Sequence, residues 1–152
     1  MKTVRLYACV LSRIVIGGLF VVSGLEKLIS PYQNFLYVVQ GYEIFPPGVD
    51  RVVAGVVPWL ELFLGTLFVL GLATSTALAG LMALFAGFII VVGQAILRRL
   101  PLTACGCLGE LISFPLPVII IIDSGLLAVC VFLWRNKGLI RHFGLDRLWD
   151  EE

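Results

Sequence analysis

The sequence has little charge and a single histidine. Charged residues make up only 14% of the 152 residues, whereas hydrophobic residues make up 60%. Soluble globular domains contain about 25% charged and about 45–50% apolar residues, so this composition excludes a soluble domain and predicts an integral membrane protein surrounded by lipid. A nucleotide fingerprint, a phosphate loop and a haem-attachment motif are also absent from the sequence. We expect no nucleic-acid partner.

Four apolar windows are long enough to cross a membrane. A hydrocarbon core needs roughly 20 mostly apolar residues at about 1.5 Å of helix rise each. The windows cover residues 7–25, 52–72, 77–97 and 116–134. We therefore predict an all-α fold, a bundle of four transmembrane helices in one domain, 1–152, with 135–152 as a tail. The basic start resembles that of a signal peptide, but the first window is longer than a signal core, so we expect it to be retained.

The distribution of lysine and arginine predicts the orientation. An even number of helices places both termini on one side, which carries six of these residues, against four on the other. The positive-inside rule then predicts cytoplasmic termini in the plasma (inner) membrane. The first and third connections accordingly face the extracytoplasmic compartment, where disulfides form and persist.

The first connection is expected to contain a short helix. Ser30 followed by Pro31 is typical of an N-cap with proline at the first helical position, and Gly41 is a suitable stop. Several tyrosines and phenylalanines lie between them. This pattern predicts a helix lying in the membrane interface, where amphipathic aromatic rings are stable.

Charged side chains within the predicted spans need a partner or a purpose, because burial in lipid is costly. Arg13 and Glu61 lie about 9 and 15 Å from the inner ends of their spans, so we predict an ion pair between them, with a proton or ligand site as the alternative. Asp123 lies about 10 Å below the outer end of the fourth span without a basic residue at that depth. It is either protonated or faces a polar pocket. The candidate outer binding pocket comprises Ser23, Glu26, Lys27, Gln94 and Asp123.

Cys105 and Cys107 are the strongest candidates for chemistry. Gly106 between them lacks a Cβ, and a turning chain can bring the two Cα atoms within the roughly 4.4–6.8 Å that a disulfide requires. So small a ring would be strained, and strained, exposed disulfides exchange readily with partner thiols. A Cu(I) site, half of a zinc site and an inert pair are the alternatives. Cys9 and Cys130 lie within the spans, where we expect them to be packing residues.

Three motifs, in this order, resemble the MauE branch of the DoxX-like membrane proteins. They are the segment 23–28 with Pro31 and Phe35, the segment 58–62 with Gly65 and Gly71, and the segment 105–109. The resemblance extends from Arg13 to Trp134 and implies a four-helix transmembrane bundle. MauE proteins are associated with maturation of methylamine dehydrogenase, whose small subunit needs periplasmic disulfides, and DoxX-like relatives with electron transfer to quinone. The sequence departs from the usual pattern at Leu108, where phenylalanine is common.

The resemblance implies a membrane thiol-redox component. Its catalytic pair would be Cys105 and Cys107, its partner an extracytoplasmic thioredoxin-like or disulfide-containing protein, and its electron acceptor a quinone near Asp123 and Gln94. Only this interpretation makes the protein an enzyme, a thiol-disulfide oxidoreductase, and it needs no resident metal. The alternatives are a non-catalytic scaffold that assembles a partner enzyme and a soft-metal-binding membrane protein.

Overall fold

The computed structural model describes residues 2–46, 48–100, 115–136 and 138. In these ranges the chain forms five helices: α1 Lys2–Ile29, α2 Tyr32–Gly41, α3 Val49–Leu70, α4 Thr74–Leu97 and α5 Leu116–Arg135. All but α2 have the length and apolar composition of a membrane span. The prediction of an all-α bundle with four spans and a short helix in the first connection is confirmed.

The first span is longer than the hydropathy pattern predicts. It runs to Ile29 rather than to residue 25 and so includes Glu26 and Lys27. Hydropathy ends a span at charged residues, but Lys27 is only 5% exposed. The helix continues through this position because the lysine finds its partners inside the bundle.

Close backbone contacts hold α1 against α3. A Cβ added to Gly24 would lie 2.7 Å from the Leu62 nitrogen and 2.8 Å from the Pro58 oxygen. A Cβ added to Gly65 would lie 2.8 Å from the Gly17 oxygen. Small residues allow this approach, as they do in other membrane helix pairs. The two contacts fix the axial register and the relative rotation of α1 and α3.

The helix α2 is tied to the beginning of α3. Its N-cap is Pro31, one residue later than the predicted Ser30, and no side chain caps it. The Tyr32 hydroxyl donates a hydrogen bond of 2.8 Å to the Arg51 carbonyl. The Gln40 amide donates one of 2.6 Å to the Asp50 carboxylate. These bonds connect both ends of α2 to the first turn of α3.

A cluster around Tyr42 joins the end of α4 to the beginning of α5. Its buried members are Tyr42, Val92, Ala95, Leu116 and Ile119, and Leu100 packs against them. We call this end of the bundle, where α1 and α4 end and α3 and α5 begin, the α2 side. The segment 101–114 connects α4 to α5 and lies outside the described residues, as does 139–152 of the predicted tail.

The opposite end of the bundle has its own core. The turn from α3 to α4 uses Gly71 at φ 70°, a left-handed conformation that glycine adopts without steric cost. Nearby, Cys9 of α1 and Cys130 of α5 pack with phenylalanine and leucine side chains of α3 and α4. The protein therefore has an apolar core at one end and a tyrosine-centred core at the other, and the buried carboxyl groups of Glu61 and Asp123 lie between these two cores.

Candidate functional site

Lys27 and Glu61 form a buried ion pair between α1 and α3. The Lys27 Nζ lies 2.9 Å from Glu61 Oε2 and 3.2 Å from Oε1. It also donates to Ser23 Oγ at 2.5 Å, and Ser23 Oγ donates to Glu61 Oε2 at 3.1 Å. An ammonium group has three N–H donors, and these three oxygens all lie within hydrogen-bond distance of it.

The sequence places these groups together through two local relationships. Ser23 and Lys27 are four residues apart and therefore lie on the same face of α1. Gly24, on the same turn, lies against Pro58 and Leu62, the residues that flank Glu61 on α3. The close contact at Gly24 thus brings the carboxylate of Glu61 next to Lys27.

The cation beside Glu61 is Lys27, where the sequence suggested Arg13. Arg13 precedes Gly24 by 11 residues, or about 16 Å of helix rise, so it lies far from the level of Glu61. It is buried at 5% exposure towards the other end of the bundle. Hydropathy ended the first span at residue 25 and so left Lys27 outside it. Lys27 was therefore not weighed as a partner of Glu61.

A cavity of about 140 Å³ opens beside this ion pair, among all four spans. Its polar lining consists of Ser23, Glu61 and Asp123. Asp123 is only 8% exposed, and its Oδ2 has no hydrogen-bond partner within the described part of the chain. The rest of the lining is apolar and includes three phenylalanines: Phe20, Phe85 and Phe88. We call this space the acidic cavity.

The acidic cavity brings together some of the predicted pocket residues. Ser23 and Asp123 line it, and Lys27 reaches it through its bonds to Ser23 and Glu61. Glu26 and Gln94 are not among the described side chains that line it. Glu26 accepts a hydrogen bond of 3.3 Å from Ser30 instead. The sequence did not place Glu61 in this pocket, because it favoured an ion pair with Arg13 and gave a proton or ligand site at Glu61 only as the alternative.

A second cavity, of about 180 Å³, lies between α2, α3 and α4. Phe35 and Val39 of α2 line it together with Tyr42, the residue that follows α2, and Val91 and Val92 line it from α4. Its described lining contains no charged side chain. We call it the apolar cavity. Phe88 lines both cavities and therefore stands between them.

The four cysteines divide into two groups. Cys9 and Cys130 are free thiols, 2% and 0% exposed, inside the apolar core. Their placement agrees with the prediction that they are packing residues. Cys105 and Cys107 lie outside the described residues, so their catalytic role stays a prediction. Within the described ranges, no three His, Cys, Asp or Glu side chains are grouped as metal ligands would be.

Four apolar helices, each long enough to cross a membrane, define a multi-pass membrane protein, and α1 and α3 share a buried ion pair. A family model described as "Methylamine utilisation protein MauE" matches residues 5–135. The chain belongs to this family, and the resemblance to MauE seen in the sequence is confirmed. No curated protein and no solved structure matches the chain. The protein is thus a membrane protein of a family connected with methylamine utilisation.

Proposed function

We propose that this protein is a membrane thiol-redox component that supports disulfide formation or exchange in an extracytoplasmic partner, with Cys105 and Cys107 as the reactive pair. One observation carries the proposal. Tyr42 belongs both to the cluster that joins the two ends of the cysteine segment and to the wall of the apolar cavity. A thiol pair and a lipid-soluble electron acceptor can therefore lie close together on the α2 side.

The covalent chain limits how far the cysteines lie from this cluster. Cys105 follows Leu100 by five residues, and an extended chain spans at most about 3.6 Å per residue. The Cys105 Cα is thus within about 18 Å of the Leu100 Cα. Leu100 packs against the Tyr42 cluster, which supports the proposal that the reactive pair acts on the α2 side.

The proposed reaction transfers two electrons from the partner to the cysteine pair. A partner thiolate attacks the Cys105 sulfur, the Cys105–Cys107 bond breaks, and Cys107 leaves as a thiolate. A second partner thiolate then attacks the mixed disulfide, which oxidises the partner and releases Cys105. The reduced pair is reoxidised by a quinone, which accepts two electrons and two protons to become a quinol.

The quinone is proposed to bind in the apolar cavity. The sequence suggested an acceptor near Asp123 and Gln94. Val92, two residues before Gln94, lines the apolar cavity, whereas Asp123 lines the acidic one. A quinone ring carries no charge and cannot offset the cost of burying the Asp123 carboxylate. The apolar lining therefore suits it better than the acidic cavity does.

The distribution of lysine and arginine supports cytoplasmic termini in the inner membrane, with the α2 side outside.

Thiol labelling in intact spheroplasts tests the proposal. A membrane-impermeant thiol reagent should label no cysteine at first and two after mild reduction, both within 101–114, as counted by mass. Changing only Cys107 to serine leaves Cys105 as a single thiol. By the reverse of the exchange, Cys105 should attack an oxidised partner and hold it as a mixed disulfide that Cys107 can no longer release. Cys9 and Cys130 are the internal controls, because their burial protects them. Labelling that requires an opened membrane would refute the orientation and the extracytoplasmic disulfide role together.

A non-catalytic scaffold is the second candidate, favoured by the aromatic surface of α2. Tyr37 is 68% exposed and Tyr32 is 44% exposed, and tyrosine is enriched in protein interfaces. In this case α2 would bind the partner enzyme and the cysteine pair would be incidental. Replacing both Cys105 and Cys107 by serine distinguishes the two functions. Undiminished oxidation and activity of the partner would favour the scaffold.

A further inference from the structure

The acidic cavity is lined by two carboxyl groups, and among the described residues only one of them has a basic partner. Glu61 is neutralised by Lys27, which donates hydrogen bonds to both oxygens of Glu61 and to Ser23. Asp123 contributes a second carboxylate, and no further cation lines the described cavity wall. An uncompensated carboxylate is costly to bury. We therefore expect Asp123 either to be protonated or to bind a cation.

The acidic cavity is large enough to hold a bound cation beside Asp123. A water molecule needs a space of about 10–15 Å³, and a cavity of about 150 Å³ holds benzene. The acidic cavity, at about 140 Å³, is thus large enough for a guest of roughly five or six non-hydrogen atoms. The Asp123 Oδ2 lies at its wall without a hydrogen-bond partner in the described chain. It is an acceptor available to an N–H donor of that guest.

The lining also indicates what kind of cation fits. A metal ion such as Ca²⁺ takes six to eight oxygen ligands, whereas only Ser23, Glu61 and Asp123 offer side-chain oxygens here. The remaining wall is aliphatic and aromatic. Phenyl rings attract ammonium groups through their faces and pack equally well against alkyl chains. A primary alkylammonium ion matches both the polar and the apolar parts of this wall.

We propose that the acidic cavity is a binding site for a small primary alkylammonium ion, whose nitrogen donates to Asp123 Oδ2 and whose alkyl chain packs against Phe20, Phe85 and Phe88. This site does not depend on the cysteine pair. Either proposal can fail while the other stands. A guest of five non-hydrogen atoms binds no tighter than the micromolar range, so a titration should cover roughly 10 μM to 10 mM.

Equilibrium dialysis of the purified full chain with radiolabelled butylammonium tests the site. One saturable site per chain is expected, with methylammonium competing for it. The variant Asp123→Asn keeps the shape of the side chain and removes its charge, and it should weaken binding by at least about tenfold. Glu43→Gln is the matched control, since Glu43 is an exposed carboxylate paired with Arg98. This control should bind butylammonium as the original chain does.

Two measurements on the unchanged protein keep the proposal testable if Asp123→Asn does not fold. Competition with n-butanol, which matches the ligand in size but carries no charge, should fail. Infrared spectra of the chain with isotope-labelled aspartate should show no protonated carboxyl group at saturating butylammonium. Equal binding by Asp123→Asn, displacement by butanol or an aspartic acid that stays protonated would each overturn the proposal.

Discussion

The ammonium nitrogen of Lys27 lies 2.9 Å from Oε2 of Glu61, and the two side chains are 1% and 0% exposed. Four residues before Lys27, Ser23 bonds to both members of the pair. This arrangement links the end of the first span to the middle of the second. It also sets one wall of the acidic cavity.

Removing one member of this pair should destabilise the protein strongly. Lys27→Met or Glu61→Leu alone leaves a buried charge without its partner, which costs on the order of 3–5 kcal/mol. The double variant should recover much of the loss, because apolar groups of similar volume replace both charges. Thermal unfolding in detergent and the amount of protein in the membrane measure these effects.

Two controls make that prediction specific. Glu43 and Arg98 form an exposed pair at 3.6 Å, so Glu43→Ala should change stability by no more than about 1 kcal/mol. Arg13→Leu should not be rescued by Glu61→Leu, since the two residues lie at different levels of the bundle. Rescue of Arg13→Leu by that second change would contradict the register described for α1 and α3.

Alanine at Gly24 should disturb the same site without changing any charge. The new methyl group would lie 2.7 Å from the Leu62 nitrogen, and overpacking of this kind costs about 1–3 kcal/mol. Gly18, on the same helix, has no neighbouring atom within 4 Å of an added Cβ. Gly18→Ala should stabilise α1 by about 0.5–1 kcal/mol. Equal effects of the two changes would argue against the close α1–α3 contact.

Tyr42→Ala should weaken the connection between the cysteine segment and the bundle. Tyr42 is 4% exposed, and truncating a buried aromatic side chain costs about 3–5 kcal/mol. Beyond this loss of stability, we expect less mixed disulfide to be trapped by the Cys107→Ser variant. Tyr37→Ala, at a position on α2 that is 68% exposed, is the comparison for Tyr42, which directly follows this helix. A matching decrease in trapping for Tyr37→Ala would instead indicate that α2 contacts the partner directly.

The two groups of cysteines should respond differently to substitution. Cys9→Ala with Cys130→Ala should reduce thermal stability slightly, because both thiols are buried among apolar side chains, but partner oxidation should continue. Cys105→Ser with Cys107→Ser should abolish that oxidation and leave stability nearly unchanged. Loss of partner oxidation in the Cys9 and Cys130 variant would show that the core thiols take part in electron transfer.

The sequence predicted the helices well and the contacts between them less well. Hydropathy identifies spans because each needs about 20 apolar residues, and Ser30, Pro31 and Gly41 mark α2 to within a residue. Of the residues that depth estimates placed together, Ser23 and Asp123 line the acidic cavity, and Lys27 is hydrogen-bonded to Ser23. Depth does not specify which way a side chain points around a helix, so Gln94 was included in the pocket although it does not line it.

The periodicity of the sequence does not reveal which residue pairs with Glu61. The pairing depends on Gly24, whose missing side chain brings two backbones together. A glycine pattern indicates that helices can approach closely, but not which residues of the other helix they meet. The Lys27–Glu61 pair was therefore accessible only from the three-dimensional structure.

Phe88 separates two cavities of different polarity. Its side chain lines both the acidic cavity, which contains Asp123, and the apolar cavity, whose described lining has no charged side chain. A thin apolar layer transmits an electric field with little screening but blocks the passage of water and ions. A guest that neutralises Asp123 would thus change the potential experienced by a molecule in the apolar cavity, although the two would never touch.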